Sequence, residues 1–100
     1  MSKSVAFMAA EKSISKILVE RGRQDAKWGE QNHDAETWAL ILLEEIGEWA
    51  KAELELKFTG GPGASEMEKA VEGEAVQVAA VAMAMVECQE RKKLMARKET

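Results

Sequence analysis

Two glutamates occupy core positions in the acidic stretch LLEEIGEWAKAELE, residues 42–55. The spacing of three and four residues that marks one face of a helix joins Ile41, Glu45, Glu48 and Ala52. This face is apolar at both ends and acidic in its middle. Because burying an unpaired carboxylate is costly, we expect a partner that neutralises these side chains.

A further acid interrupts the apolar run near the carboxyl end. Glu74 shares a helix face with Val71 and Val78, and Gln77 is the one polar residue between positions 75 and 86. Two predicted helices therefore each place acidic side chains where core residues belong.

Basic partners, shared protons and divalent cations are three ways to neutralise such carboxylates. Lys51 is one turn from Glu48, but it flanks the face, and one lysine does not balance three or four acids. The one histidine, His33, lies in the polar segment before the acidic helix and not on a helix with these acids, which disfavours a di-iron site, and carboxylates without His or Cys suit Mg²⁺ or Mn²⁺. A solvated acidic face is the simple alternative, but two such positions on separate apolar stripes favour a metal site. Its predicted ligands are Glu44, Glu45, Glu48, Glu74 and Gln77.

The chemistry predicted for this site is metal-assisted attack of water on a phosphoryl group. Magnesium held by a few carboxylates keeps coordination positions for water and substrate phosphates. Arg21, Arg23 and Lys27, just before the acidic helix, are candidates for binding the phosphate oxygens, and Lys51 is another. Ordinary surface charge is the alternative for each.

The polar segment between these cations and the acidic helix has side chains that suit a nucleobase. Trp28 offers an indole for stacking, and Gln31 and Asn32 offer amides for a base edge. The alternative for Trp28 is that it closes the end of a bundle. His33 is interpreted as a structural hydrogen-bonding residue.

Three helical segments must position these residues. The first spans about 4–23 and is followed by a polar connector, 24–34, with Gly29 as a breaker. Asp34 is the predicted N-cap of a second helix over about 35–57. A loop at 59–65 then leads to a capping box formed by Ser65 and Glu68, and a third helix runs to about 93, bent or divided near Gly73.

These elements predict one all-α domain, 1–100, folded as an antiparallel helical bundle. Residues 75–86 are apolar on every side of the helix, which in a chain of 100 residues favours a homodimer or homotetramer that completes a four-helix core. Trp38, Trp49 and Cys88 are predicted to be core or interface residues.

Charge and hydropathy exclude several classes of protein. A net charge of −4 disfavours duplex nucleic acid as a partner, and a single cysteine excludes an intramolecular disulfide. The longest nearly apolar run, 75–86, is too short to span a bilayer, and residues 5–10 are too short for the core of a signal peptide. A cytoplasmic protein without membrane contact is therefore expected.

Three segments in this order resemble one known family. The stretches ERGRQDAKWGEQNHD, LLEEIGEWAKA and EGEAVQVAAVAMAMVECQER are similar to the MazG-like branch of the all-α nucleoside triphosphate pyrophosphatases, over about residues 17–92. The resemblance implies a bundle that dimerises, often into a tetramer, and Mg²⁺-dependent hydrolysis of nucleoside triphosphates to monophosphate and pyrophosphate, with water attacking the α-phosphorus.

The resemblance also implies roles for individual residues. Glu45 and Glu48 match the first acidic motif, Glu74 matches the third acid, and Glu44 matches an additional acid that is common before the motif. Gln77 stands where the family has an aspartate, so it brings an oxygen without a charge. Either Glu45 or Glu48 would orient the water. The broad stacking surface of the connector tryptophan, and not the resemblance, favours a purine deoxynucleotide such as dGTP as the substrate.

Two other functions fit the same residues. One is a non-catalytic helical oligomer that binds nucleotide or a protein partner, with the acids kept as a regulatory metal site. The other is an acidic helical adaptor for basic proteins.

Overall fold

The computed structural model describes residues 3–99, and the side chains of residues 3–98. They form three helices, α1 (Val5–Trp28), α2 (Ala35–Thr59) and α3 (Ala64–Glu99), with no strand among the residues described. Helix α3 packs against both α1 and α2. The predicted all-α helical bundle is therefore confirmed.

Helix α1 is longer than the sequence pattern predicted. Its N-cap is Ser4, whose side chain accepts a hydrogen bond from the Phe7 amide. The expected end at position 23 is wrong, because residues 24–28 contain no helix breaker and continue the helix. Gly29 ends it with a φ of 71°, as predicted for the breaker, and shortens the connector to 29–34.

Helix α2 begins where the sequence predicted. The carboxylate of Asp34 accepts a hydrogen bond from the Thr37 amide at 2.8 Å, which identifies Asp34 as the N-cap. The same hydrogen bonding to Thr37 lowers the pKa of Asp34. The helix continues to Thr59, slightly past the predicted end at position 57.

Helix α3 is one continuous helix of 36 residues. It begins at Ala64, directly after a turn that contains Gly63 at a φ of 94°. Ser65 therefore lies inside the first turn, and the predicted capping box with Glu68 is wrong. Gly73 does not divide the helix, which continues past the predicted end at position 93.

The core of the single chain is small. Trp38, Val81, Ala84 and Cys88 are buried together, which confirms the core positions predicted for Trp38 and Cys88, and Trp49 is half-buried. The radius of gyration is 16.8 Å, whereas a compact domain of this length has about 13 Å. The helices thus leave apolar side chains exposed. Within residues 3–99, no helix is long and apolar enough to cross a membrane.

Candidate functional site

Three of the predicted acids converge between α2 and α3. One carboxylate oxygen from each of Glu45, Glu48 and Glu74 lies within 4.8 Å of the others. Glu45 and Glu74 are half-buried, whereas Glu48 is exposed. Oxygen ligands bind Mg²⁺ at about 2.1 Å, so two ligands on opposite sides of the ion are about 4.2 Å apart. The three oxygens are therefore close enough together to be candidate ligands of one divalent cation.

The environment of these acids also fits a cation. Glu45 Oε2 and Glu74 Oε2 are buried, and neither has a hydrogen-bond partner among the described residues. Burial raises the pKa of both carboxyl groups, and the neighbouring charge of Glu48 raises it further. A hard cation would coordinate the buried oxygens and offset the repulsion between the carboxylates.

A cavity of about 520 Å³ adjoins the acids. Glu44, Glu45 and Gln77, which are in or next to the acidic cluster, line it, and so do Trp28 and Gln31, which are next to or in the connector. On α3 its wall extends over residues 77–91, a length of about 20 Å at 1.5 Å per residue. The cavity thus follows the helices from the acidic end towards the connector, and Glu45 belongs to both the acidic cluster and the cavity wall.

Arg21 lies in the cavity wall, but its guanidinium is occupied by protein side chains. It donates to Glu87 through Nε at 3.0 Å and through one terminal nitrogen at 2.7 Å, and this nitrogen also donates to Asp25 at 2.9 Å. The other terminal nitrogen donates to Gln24 Oε1 at 3.1 Å. Hydrogen bonding to Glu87 raises the pKa of Arg21 above its already high ordinary value. The structure thus places Arg21 at the site as a link between α1 and α3.

The other predicted phosphate-binding cations are not brought to the cavity. Arg23 pairs with Glu20 on its own helix, and the Lys27 amine lies 4.7 Å from the centre of the Trp28 ring. Lys51 is exposed. None of these three cations lines the cavity.

The connector residues divide into two groups. Trp28, which is 57% exposed, and Gln31 line the cavity, whereas Asn32 does not. Asn32 donates to Glu30, and its Oδ1 accepts a hydrogen bond from Arg91. The His33 ring packs edge-on against Trp38 with 4.9 Å between ring centres, and His33 also lines the cavity.

Sequence reasoning missed two residues that shape the site. Arg91 of α3 donates to the backbone oxygen of Gln31 at 2.8 Å and so holds the connector against the cavity. Glu20 lines the cavity with its side chain only 13% exposed, and its charge helps to raise the pKa of Glu45. A spacing of four residues joins Glu20, Gln24 and Trp28. This spacing indicates a common helix face only if the first helix is taken to continue to Trp28.

Comparisons of the chain with protein-family models, with curated proteins and with solved structures found no match. The resemblance to MazG-like proteins therefore depends on the quoted residues alone. The function is argued below from the geometry of this chain.

Proposed function

We propose that the protein is a divalent-cation-dependent hydrolase that converts nucleoside triphosphates to monophosphates and pyrophosphate. The observation that carries this proposal is the convergence of Glu45, Glu48 and Glu74, two of them with buried, unpartnered oxygens, beside a cavity. The cavity volume of about 520 Å³ lies within the range of small-molecule sites. The three segments that resemble MazG-like proteins support the same reaction.

Each part of the site has a task in this reaction. The three carboxylates hold Mg²⁺ or Mn²⁺, which when bound neutralises phosphate charge and activates water. Of the two candidates for orienting that water, Glu45 is the better placed because it also lines the cavity. Gln77 contributes an uncharged oxygen at the same end, and Trp28 stacks on the base at the other. Because Arg21 is engaged by Glu87, it would leave most of the phosphate charge to be neutralised by a bound cation.

An assay of pyrophosphate release tests the proposal directly. The wild-type protein is incubated with each canonical dNTP and NTP in Mg²⁺ or Mn²⁺, and the nucleotide product is identified by chromatography. Glu48→Gln should lower turnover by more than about 100-fold, because it removes a metal ligand. Glu55→Gln, an exposed position on the same helix outside the cavity, is the matched control. Absence of turnover on every nucleotide by a folded wild-type protein would contradict the proposal.

A second candidate function is nucleotide or partner binding without catalysis. Gln77 favours it, because this uncharged amide lines the acidic end of the cavity where the resembling family has an aspartate. Nucleotide binding that needs Mg²⁺ but gives no product would identify this function. An acidic adaptor for basic proteins predicts no thermal shift on adding Mg²⁺ and nucleotide together.

We also infer that the chain pairs with copies of itself as a homodimer or homotetramer. Apolar side chains form an exposed stripe on α2, with Leu43 63% exposed. The residues of this α2 stripe are Leu40, Leu43, Leu54 and Phe58. Leu43→Glu should reduce the mass measured by analytical ultracentrifugation to that of one chain, whereas Lys98→Glu, at an exposed position on α3, should not. A wild-type protein that sediments as a monomer at high concentration would contradict this inference.

A further inference from the structure

We propose that Gln24 reads the nucleobase and that its amide, held in one orientation by Arg21, favours bases with a keto group over bases with an amino group. This inference rests on the proposed function. It adds a specificity-determining residue that the sequence pattern did not indicate.

The orientation of the Gln24 amide follows from its neighbour. Gln24 is 9% exposed, and its Oε1 lies 3.1 Å from a terminal nitrogen of Arg21. A guanidinium has donors and no acceptor, so only the amide oxygen can face it. Arg21 is itself held by Glu87 and Asp25, so this orientation is fixed by a network. The amide nitrogen, with two hydrogens to donate, is the polar group that Gln24 has left for the cavity it lines.

Gln24 lies along the cavity where the nucleoside part of a bound nucleotide would lie. Glu20, Gln24 and Trp28 follow one another on one face of α1 and all line the cavity. Glu20 and Glu45 both line the cavity, and the charge of Glu20 helps to raise the pKa of Glu45, so we take Glu20 as the position of α1 nearest the acids. Gln24 then lies one turn further, about 6 Å, and Trp28 two turns further, about 12 Å. A nucleotide with its phosphates at the acids would place its base between Gln24 and Trp28.

A donor at this position discriminates between bases. A keto oxygen accepts a hydrogen bond from the Gln24 amide nitrogen, whereas an exocyclic amino group presents a second donor and leaves both groups unpaired. Hypoxanthine has a keto group where adenine has an amino group, and uracil has a keto group where cytosine has an amino group. We expect the keto member of a pair to bind about 10-fold more tightly.

Calorimetric titration with non-hydrolysable α,β-methylene analogues of dITP, dATP, dUTP and dCTP in Mg²⁺ tests this preference. The wild-type protein should favour the keto nucleotide in at least one pair. Gln24→Glu keeps an oxygen towards Arg21 and replaces the donor by an acceptor, so it should remove or invert the preference. Gln24→Met removes both polar groups and should bring the ratio close to 1. Exposed Gln89→Glu, outside the cavity, should leave the ratio unchanged.

The outcomes separate this inference from the function on which it rests. Circular dichroism establishes which variants fold. If Gln24→Glu does not fold, the base preference of Gln24→Met tests the inference. If nucleotides bind and are hydrolysed without a keto preference in either pair, or if both Gln24 variants keep the wild-type ratio, the inference is wrong and the proposed function stands. If no nucleotide binds or is hydrolysed, both are wrong.

Discussion

Two charged clusters on α3 are built in opposite ways. In the first, Arg21 lies between Glu87 and Asp25, so each of these charges has a partner and the pKa of Arg21 is raised. In the second, Glu45 and Glu74 have buried oxygens with no partner in the described residues, and their raised pKa values oppose ionisation. The first cluster links α1 to α3, whereas the second is the site that we propose for a divalent cation. Three variants or conditions test this contrast.

Breaking the paired cluster should have the largest effect on stability. Arg21→Met leaves the carboxylate of Glu87, whose side chain is 32% exposed, without its partner. We expect the free energy of unfolding to fall by about 3 kcal/mol, measured by urea denaturation. Lys93→Met removes the exposed pair with Glu90 and should cost no more than about 1 kcal/mol. Equal effects of the two substitutions would show that the Arg21 cluster does not link the helices.

Removing a charge from the unpaired cluster should instead raise the free energy of unfolding. Without divalent cations, Glu74→Gln should raise the free energy of unfolding by about 1 kcal/mol, because it removes a desolvated charge that other acids repel. Exposed Glu66→Gln, on the same helix, is the control and should change stability by about 0.5 kcal/mol or less. Destabilisation by Glu74→Gln in the absence of metal would mean that the carboxylate is already satisfied within the protein.

The pH dependence of stability should show a smaller effect of the same origin. In the folded chain the pKa values of Glu45 and Glu74 lie above the ordinary 4.5, so the native state holds protons that the unfolded state has released. The free energy of unfolding contributed by these groups is therefore greatest below about pH 4.5 and falls as the pH rises through their raised pKa values.

The double variant Glu45→Gln, Glu74→Gln isolates this contribution. The lowered pKa of Asp34 acts in the opposite direction at lower pH, so the measured quantity is the difference between wild type and the double variant at each pH. That difference should grow in favour of the variant as the pH rises towards neutral in chelator. A constant difference would show that the two carboxyl groups titrate normally.

Most of the fold was predictable from local signals. Asp34 and Gly29 bound the connector as their capping chemistry requires, and the apolar run on α3 identified the central helix. The predictions failed where a local signal was ambiguous. The mostly polar segment 24–28 resembles a connector in sequence although it is helical, and Ser65 has the sequence context of an N-cap although the helix already begins at Ala64, after the turn at Gly63.

The acidic cluster was predictable because its members interrupt apolar stripes. Glu45, Glu48 and Glu74 stood out by spacing, and they do meet in space. The ion-pair partners of the basic side chains were not predictable in the same way. Arg21 and Glu87 are distant in sequence, and only the packing of α1 on α3 shows that they pair. The role of Gln24 also depends on that contact, because its amide orientation is fixed by Arg21.

The central claim is that Glu45, Glu48 and Glu74 hold a divalent cation. Titration of the metal-free protein with Mn²⁺, with free Mn²⁺ followed by electron paramagnetic resonance, tests it with and without a non-hydrolysable nucleotide. We expect saturable binding by the wild-type protein and a loss of at least about 10-fold in affinity in Glu45→Gln, Glu74→Gln. Equal Mn²⁺ binding by the two proteins, or no binding by the wild type in either condition, would contradict the claim.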